Sequence, residues 1–150
     1  MAETRDLVIV GGGPAGSATA IALGRLDPAL ARRTLLLDRA VFPRDKTCAG
    51  GLIPHTITIL RQLGLELAVP VVRVDHARVD VAGERIEIDS PACCWVIRRR
   101  EFDAMLLDAA RGHGVEVRES VRLRAARRDG EHVVLDTDAG EIRARAVVGA

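Results

Sequence analysis

The chain has 150 residues, of which 48% are hydrophobic and 29% charged, a composition typical of a soluble globular domain with one sizeable core. Its 22 basic and 21 acidic residues nearly cancel, so no overall field would attract nucleic acid or an anionic membrane. The 3 cysteines, two of them adjacent, do not fit a disulfide framework and favour a reducing, cytoplasmic location. No stretch has the length and apolarity of a signal peptide or a transmembrane segment.

The N-terminal third predicts a strand, a helix and a second strand. Residues 6–10 form an apolar, β-branched run that ends in three glycines, as expected for a strand buried in a parallel sheet. Residues 14–26 are small or apolar and begin with proline, which a helix tolerates best at its first position. The apolar run 34–37 then predicts a second strand, which ends on Asp38.

The middle of the chain interrupts this pattern. Residues 40–54 are rich in proline, glycine and charge and predict a loop, and residues 55–63 have the apolar spacing of a helix. From residue 71 to 89 polar and apolar residues alternate around a turn at 82–84. This alternation predicts an antiparallel insertion covering about residues 71–97.

The last third predicts a return to the parallel sheet. Residues 100–113 have helical spacing, and residues 115–117 predict the next strand. A hairpin turn at Asp129-Gly130 precedes an apolar run at 133–137, and residues 146–150 predict a final strand in which the chain stops. The overall pattern is that of an α/β fold with a parallel central sheet and an antiparallel excursion.

The glycines after the first predicted strand match the motif G-x-G-x-x-G. In this motif Gly11 permits a tight turn, Gly13 carries no side chain that would block a pyrophosphate, and Gly16 lets the helix pack closely. Phosphate would meet the helix N-terminus, where unpaired N–H groups and the helix dipole favour negative charge. The predicted phosphate-binding residues are therefore Gly11, Gly13, Pro14, Ala15 and Gly16.

The acidic partner of this motif is Asp38, which follows Gly16 by 22 residues (38 − 16), close to the usual spacing of about 20. Its carboxylate would accept hydrogen bonds from ribose hydroxyls. The strand, turn, helix and acid together predict a Rossmann-like dinucleotide site. Two other interpretations stay open: a structural glycine turn that binds no nucleotide, and an ordinary solvated acid at a strand end.

Three segments resemble one flavoprotein family. Residues 42–52, FPRDKTCAGGL, are similar to the F-P-R-x-K-x-C-G-G-like stretch of the geranylgeranyl reductase family, a branch of the p-hydroxybenzoate hydroxylase-like FAD superfamily, with Ala49 where that stretch often has glycine. The R-x-x-F-D-x-x-L motif of this family is similar to Arg99, Phe102 and Asp103 followed by Leu106 or Leu107. The final residues VVGA resemble the segment that precedes Asp-Gly in these proteins.

The resemblance implies a role in FAD binding for nine residues. On the adenosine side, Asp38 would hold the ribose, Arg39 would flank the adenine, and Val121 would offer backbone groups to the adenine. Arg44 and Lys46 would lie towards the phosphates or the flavin. The remaining four would lie near the flavin, with Arg99 at its phosphate or ribityl chain and three close to the isoalloxazine ring: Cys48, Gly50 and Gly51.

The implied function is that of an FAD-dependent oxidoreductase. NAD(P)H or another donor would reduce the flavin, which would then reduce a double bond or support hydroxylation of a small, apolar substrate. The resemblance also implies that the 150 residues are the N-terminal part of a larger enzyme whose substrate domain lies elsewhere. The sequence identifies no catalytic acid or base and no oligomeric state, and the scattered histidines give no reason to expect a metal site.

Two alternatives remain at this point. An NAD(P)-dependent dehydrogenase would continue with regular β-α-β units after Asp38, where this chain has a proline- and glycine-rich loop. A non-catalytic dinucleotide-binding fragment would share the glycine motif but lack the chemistry.

Overall fold

A computed structural model describes residues 3–150, which form two compact units. Unit 1 contains the residues up to Arg44 together with Asp103–Ala150, and unit 2 is Asp45–Phe102. The helices and strands in chain order are β1 (Glu3–Val10), α1 (Pro14–Leu26), α2 (Pro28–Ala31), β2 (Thr34–Leu37), β3 (Gly51–Leu52), α3 (Pro54–Gln62), β4 (Val71–Val81), β5 (Glu84–Ile97), α4 (Arg99–Gly112), β6 (Glu116–Arg118), β7 (Leu123–Asp129), β8 (His132–Thr137) and β9 (Gly140–Gly149).

Unit 1 is built on a six-stranded sheet in the order β6-β2-β1-β9-β8-β7. The first four strands run parallel, and β8 and β7 extend the sheet as antiparallel hairpins. Val8 and Leu35 belong to the core cluster on one face, while Ile9 and Leu36 point to the other face and are also fully buried. The central strands are therefore covered on both faces, as their continuous apolar runs predict.

The predicted bounds of α1 and β2 agree with the structure, whereas other elements differ in extent. The final strand, predicted over residues 146–150, is β9 and begins at Gly140, because its more polar first half pairs with β8 and β1. β1 begins at Glu3 because its charged first residues pair with β9, a contact that apolar patterning does not report. The predicted connection after α1 contains the short helix α2. Its N-cap is Asp27, whose Oδ1 accepts hydrogen bonds from the N–H groups of Ala29 and Leu30 at 3.0 and 2.9 Å.

Unit 2 contains a three-stranded antiparallel sheet, β3-β5-β4, and the helix α3. The turn between β4 and β5 lies at Ala82 and Gly83, which both have positive φ, as a two-residue type I′ hairpin turn requires. The outer part of this hairpin is amphipathic. Paired charges such as Arg78 opposite Glu87 lie on one face, and the exposed pair Val79 and Ile86 lies on the other.

Candidate dinucleotide-binding site

Two glycines of the motif are required by the fold of unit 1 itself. Gly11 follows β1 with a φ of +114°, and a side chain there would overlap the backbone carbonyl of Ala150. Gly16 lies in the first turn of α1, and a Cβ on it would overlap the carbonyl oxygen of Gly11. The absence of side chains at these positions lets α1 approach the end of β1 closely.

Gly13 is different because its backbone does not require glycine. It is the N-cap of α1 with φ −70° and ψ −174°, a conformation open to any residue. Within the described residues, the only atom near a Cβ added at this position would be Nη2 of Arg44, at a distance of 3.6 Å. The space in front of the helix N-terminus is therefore open, and Pro14 and the exposed Ala15 border it as the first helical residues.

Asp38 lies beside this turn with its carboxylate fixed by backbone amides. Its Oδ2 accepts a hydrogen bond from the Gly12 N–H at 2.7 Å, and its Oδ1 accepts one from the Ala40 N–H at 2.7 Å. The N–H of Val121 donates to the Asp38 carbonyl at 2.9 Å, whereas Arg39 is exposed. Unit 1 thus brings the glycine turn, Asp38 and Val121 together.

Arg44 supplies a cation next to the turn. Its side chain is only 19% exposed, and its Nη2 lies 3.2 Å from Oδ2 of the fully buried Asp103. Its Cζ lies 4.8 Å from the centroid of the Phe42 ring, a cation–π distance. Its Nη1 is buried and has no hydrogen-bond partner within residues 3–150. An unpaired buried donor of this kind is rare in proteins, and Arg44 therefore keeps unused donor capacity beside the turn.

The other predicted residues lie in unit 2. A cavity of about 660 Å³ brings three of them together, Lys46, Cys48 and Arg99. Four cationic side chains and two acidic ones line this cavity, so its charge favours an anion; besides Lys46 and Arg99 they are Arg98, Arg100, Asp45 and Glu101.

The two glycines of unit 2 have different constraints. Gly50 has a φ of +73°, and a side chain on it would overlap the carbonyl oxygen of Ile97, so β5 itself requires glycine here. Gly51 is exposed, and a Cβ on it would lie 3.2 Å from Sγ of Cys94. The Sγ of Cys48 accepts a weak hydrogen bond from the Gly50 N–H at 3.4 Å.

Asp103 is a residue of this site for which the sequence predicted no role in FAD binding. It lies on the apolar face of α4 next to the buried residues Phe102, Leu106 and Leu107. An acid on the buried face of an amphipathic helix needs a partner, because an unpaired buried charge is costly. That position was the available signal, but the pattern does not say which cation pairs with it.

Comparison with known families and proteins identifies relatives along almost the whole chain. A family described as FAD binding domain matches residues 4–150. Menaquinone reductase from Mycobacterium tuberculosis (strain ATCC 25618 / H37Rv) is 31% identical over 155 residues, which cover 97% of this chain and 37% of that protein. Geranylgeranyl diphosphate reductase from Rhodobacter capsulatus is 31% identical over 152 residues, again 97% and 37% of the two chains.

Solved structures with the same fold cover almost the whole chain. A geranylgeranyl bacteriochlorophyll reductase-like protein from Thermoplasma acidophilum has a TM-score of 0.80 at 22% identity, covering 100% of this chain and 40% of that one. The myxobacterial chondrochloren halogenase has a TM-score of 0.73 at 31% identity, covering 99% and 37%. The predicted Rossmann-like fold is thereby confirmed, and the chain spans less than half the length of these relatives.

Proposed function

The chain belongs to the FAD binding domain family, and from that premise we propose that it supplies the FAD site of an oxidoreductase that passes electrons from NAD(P)H to an organic substrate. The observation that carries the proposal is the open glycine turn beside the Arg44 guanidinium, whose Nη2 lies 3.6 Å from where a Cβ on Gly13 would stand. Space and positive charge coincide there, and a pyrophosphate needs both. When bound, FAD would supply the hydride chemistry that protein side chains lack.

The backbone of α1 would bind the pyrophosphate. Because Pro14 has no N–H, the donors in the first turn are the amides of Ala15 and Gly16, which have no intrahelical partner at this position. Gly13 would keep a side chain out of the way, and the Arg44 guanidinium would balance the phosphate charge. The glycine turn and Arg44 would therefore bind the same anionic group.

The adenosine end would lie against Asp38. Its two carboxylate oxygens each accept one backbone hydrogen bond and keep further lone pairs for the ribose hydroxyls. The N–H of Val121 is already bonded to Asp38, so this residue would contact adenine through its carbonyl oxygen. Arg39, which is exposed, would cover the adenine from solvent.

Within unit 2, we propose that the cavity lined by Lys46, Cys48 and Arg99 contacts the flavin half of FAD. The cationic lining would favour the phosphate and the polar ribityl chain. Gly50 and Gly51 would leave the backbone free to approach the isoalloxazine ring.

We base the choice of reduction on two of the relatives. The relatives that are 31% identical include reductases of menaquinone and of geranylgeranyl diphosphate, so we propose that this enzyme reduces a double bond or quinone in an apolar small molecule.

No helix in the described part of the chain is both long enough and apolar enough to cross a membrane. The thiols of Cys48, Cys93 and Cys94 fit a reducing compartment, and we propose a cytoplasmic location.

The test uses the full-length protein. It is purified, desalted and examined for bound FAD by visible absorbance, and NADH or NADPH is then added without oxygen. We expect bleaching of the flavin, followed by the gain of two hydrogens in menaquinone or geranylgeranyl diphosphate, measured by mass spectrometry. Gain of an oxygen atom in the presence of O₂ would instead indicate a hydroxylase. A protein that neither retains nor rebinds FAD would refute the proposal.

A further inference from the structure

Asp103 is a fully buried carboxylate in unit 1. Burying a charged carboxylate among apolar side chains costs free energy unless a partner compensates it. The Arg44 guanidinium lies at 3.2 Å and provides such a partner. A buried ion pair is weak evidence for stability on its own, because an apolar pair of similar volume is often as stable. A function for this pair therefore has to come from its position.

The position of the pair is unusual in the chain. The chain leaves unit 1 after Arg44 and returns to it at Asp103, so the ion pair joins these two points. Arg44 lies in an irregular segment, where no helix or strand fixes its direction. Its guanidinium is instead held by Asp103 and by the ring of Phe42, whose own N–H donates to the Glu119 carboxylate at 2.5 Å.

The two terminal nitrogens of the Arg44 guanidinium have different surroundings. Nη2 contacts Asp103 and lies 3.6 Å from where a Cβ on Gly13 would stand, while Nη1 is buried without a partner in the described residues. Because the guanidinium is planar, this contact and the Phe42 ring together restrict its orientation, with Nη2 towards Gly13. Asp103 thus helps to hold the guanidinium at the glycine turn before any ligand arrives.

We propose that Asp103 is a positioning residue for FAD binding: its carboxylate holds the Arg44 guanidinium beside Gly13 so that this guanidinium donates to the pyrophosphate. This inference rests on the proposed function, in which the pyrophosphate occupies the glycine turn. Asp103 itself does not touch the cofactor. Its effect on FAD affinity therefore passes entirely through Arg44.

A double-mutant cycle on the full-length protein tests this dependence. The dissociation constant of FAD is measured with the apoprotein of the wild type, Arg44→Gln, Asp103→Asn and the double variant. We expect each single change to weaken FAD binding about tenfold to a hundredfold, the usual effect of losing a hydrogen bond to a charged group. The double variant should bind FAD no more weakly than Arg44→Gln alone, because Asp103 acts through Arg44.

A purely structural role for Asp103 would give a different result. The losses of FAD affinity in the two single variants would then multiply in the double variant, and that outcome would overturn the inference. Arg44→Lys is the second test, because lysine keeps the charge for Asp103 but lacks the second planar donor. We expect Arg44→Lys to keep the thermal stability of the apoprotein and to lose FAD affinity. Wild-type FAD affinity in this variant would also overturn the inference.

The control is another ion pair of unit 1, in which Nη1 of Arg33 lies 3.1 Å from Oδ2 of Asp6. Arg33→Gln and Asp6→Asn remove the same chemical groups and should leave the FAD dissociation constant unchanged. Failure of the proposed function gives a separate outcome, in which the wild-type apoprotein itself does not bind FAD. If the wild type binds FAD and Asp103→Asn binds it equally well, only the role of Asp103 is refuted.

Discussion

Replacing Gly13 with alanine separates what the fold requires from what the ligand requires. The φ of −70° suits alanine, and the new Cβ would have Nη2 of Arg44 as its near neighbour at 3.6 Å, an ordinary contact. Lower entropy of the unfolded chain would stabilise the variant by about 0.4–1 kcal/mol. Alanine is a poorer N-cap than glycine by a similar amount, roughly 0.5–1 kcal/mol. The two terms oppose each other, so the free energy of unfolding of the apoprotein should change by less than about 1 kcal/mol.

The affinity for FAD should change much more. The added methyl group would stand where the pyrophosphate approaches the helix N-terminus, and losing one charge-assisted hydrogen bond there costs about 1.5–3 kcal/mol, or roughly tenfold to a hundredfold in the dissociation constant. Gly16→Ala should differ from Gly13→Ala because it destabilises the apoprotein itself. Its Cβ would overlap the Gly11 carbonyl, and overpacking of this kind lowers the free energy of unfolding by about 1–3 kcal/mol or more.

The assay combines thermal unfolding of the flavin-free protein with titration of FAD by the quenching of its fluorescence. Gly112→Ala is the matched control, since Gly112 ends α4 with open space around its Cβ position, and its FAD affinity should equal that of the wild type. An apoprotein of Gly13→Ala as unstable as Gly16→Ala would show that the space at Gly13 is not open. Unchanged FAD affinity in Gly13→Ala would show that the pyrophosphate binds elsewhere.

Three further substitutions test other parts of unit 1. Gly24→Ala should lower the free energy of unfolding by about 1–3 kcal/mol, measured by urea denaturation, because its Cβ would lie 2.5 Å from Cβ and 2.8 Å from the carbonyl oxygen of His113. Asp27→Ala should lower it by about 0.5–2 kcal/mol in the same measurement, because α2 loses its N-cap; an unchanged value would mean that the cap contributes nothing. Asp38→Asn should weaken FAD binding about tenfold or more in the fluorescence titration. The asparagine amide would place an N–H donor against one of the two backbone N–H groups, and it lacks the negative charge that strengthens hydrogen bonds from the ribose hydroxyls. Wild-type affinity in that variant would exclude Asp38 as the ribose ligand.

Local signals were sufficient to predict the parallel core of unit 1. A glycine-ended apolar run, a proline-started helix and a short apolar strand each leave a mark within a few neighbouring residues, and α1 and β2 have the predicted bounds. The first residues of β1 were missed because they are charged. Their place in the sheet depends on β9, at the other end of the chain, where Glu3 pairs with Ile142 and Arg5 with Ala144.

The motif G-x-G-x-x-G could be found in the sequence, but the sequence could not show that its glycines differ. Gly11 and Gly16 are required because backbone atoms of Ala150 and of Gly11 itself lie against them. Gly13 meets only a side chain that belongs to a distant segment. Which glycine serves the fold and which leaves room for a ligand is therefore decided by contacts between remote parts of the chain.

The same reasoning ranks the two predicted cations of the FPRDKTCAGG segment. Lys46 attracts attention in the sequence as the only lysine of the chain, yet it is exposed, so its flexible side chain would have to be ordered when a ligand binds. Arg44 is already held by a buried carboxylate and an aromatic ring. A group that is ordered before binding loses less conformational entropy on binding. At equal distance from a phosphate, Arg44 would thus contribute more to FAD affinity than Lys46. The sequence segment alone does not show this difference, because the carboxylate that holds Arg44 belongs to Asp103 in α4, outside the segment.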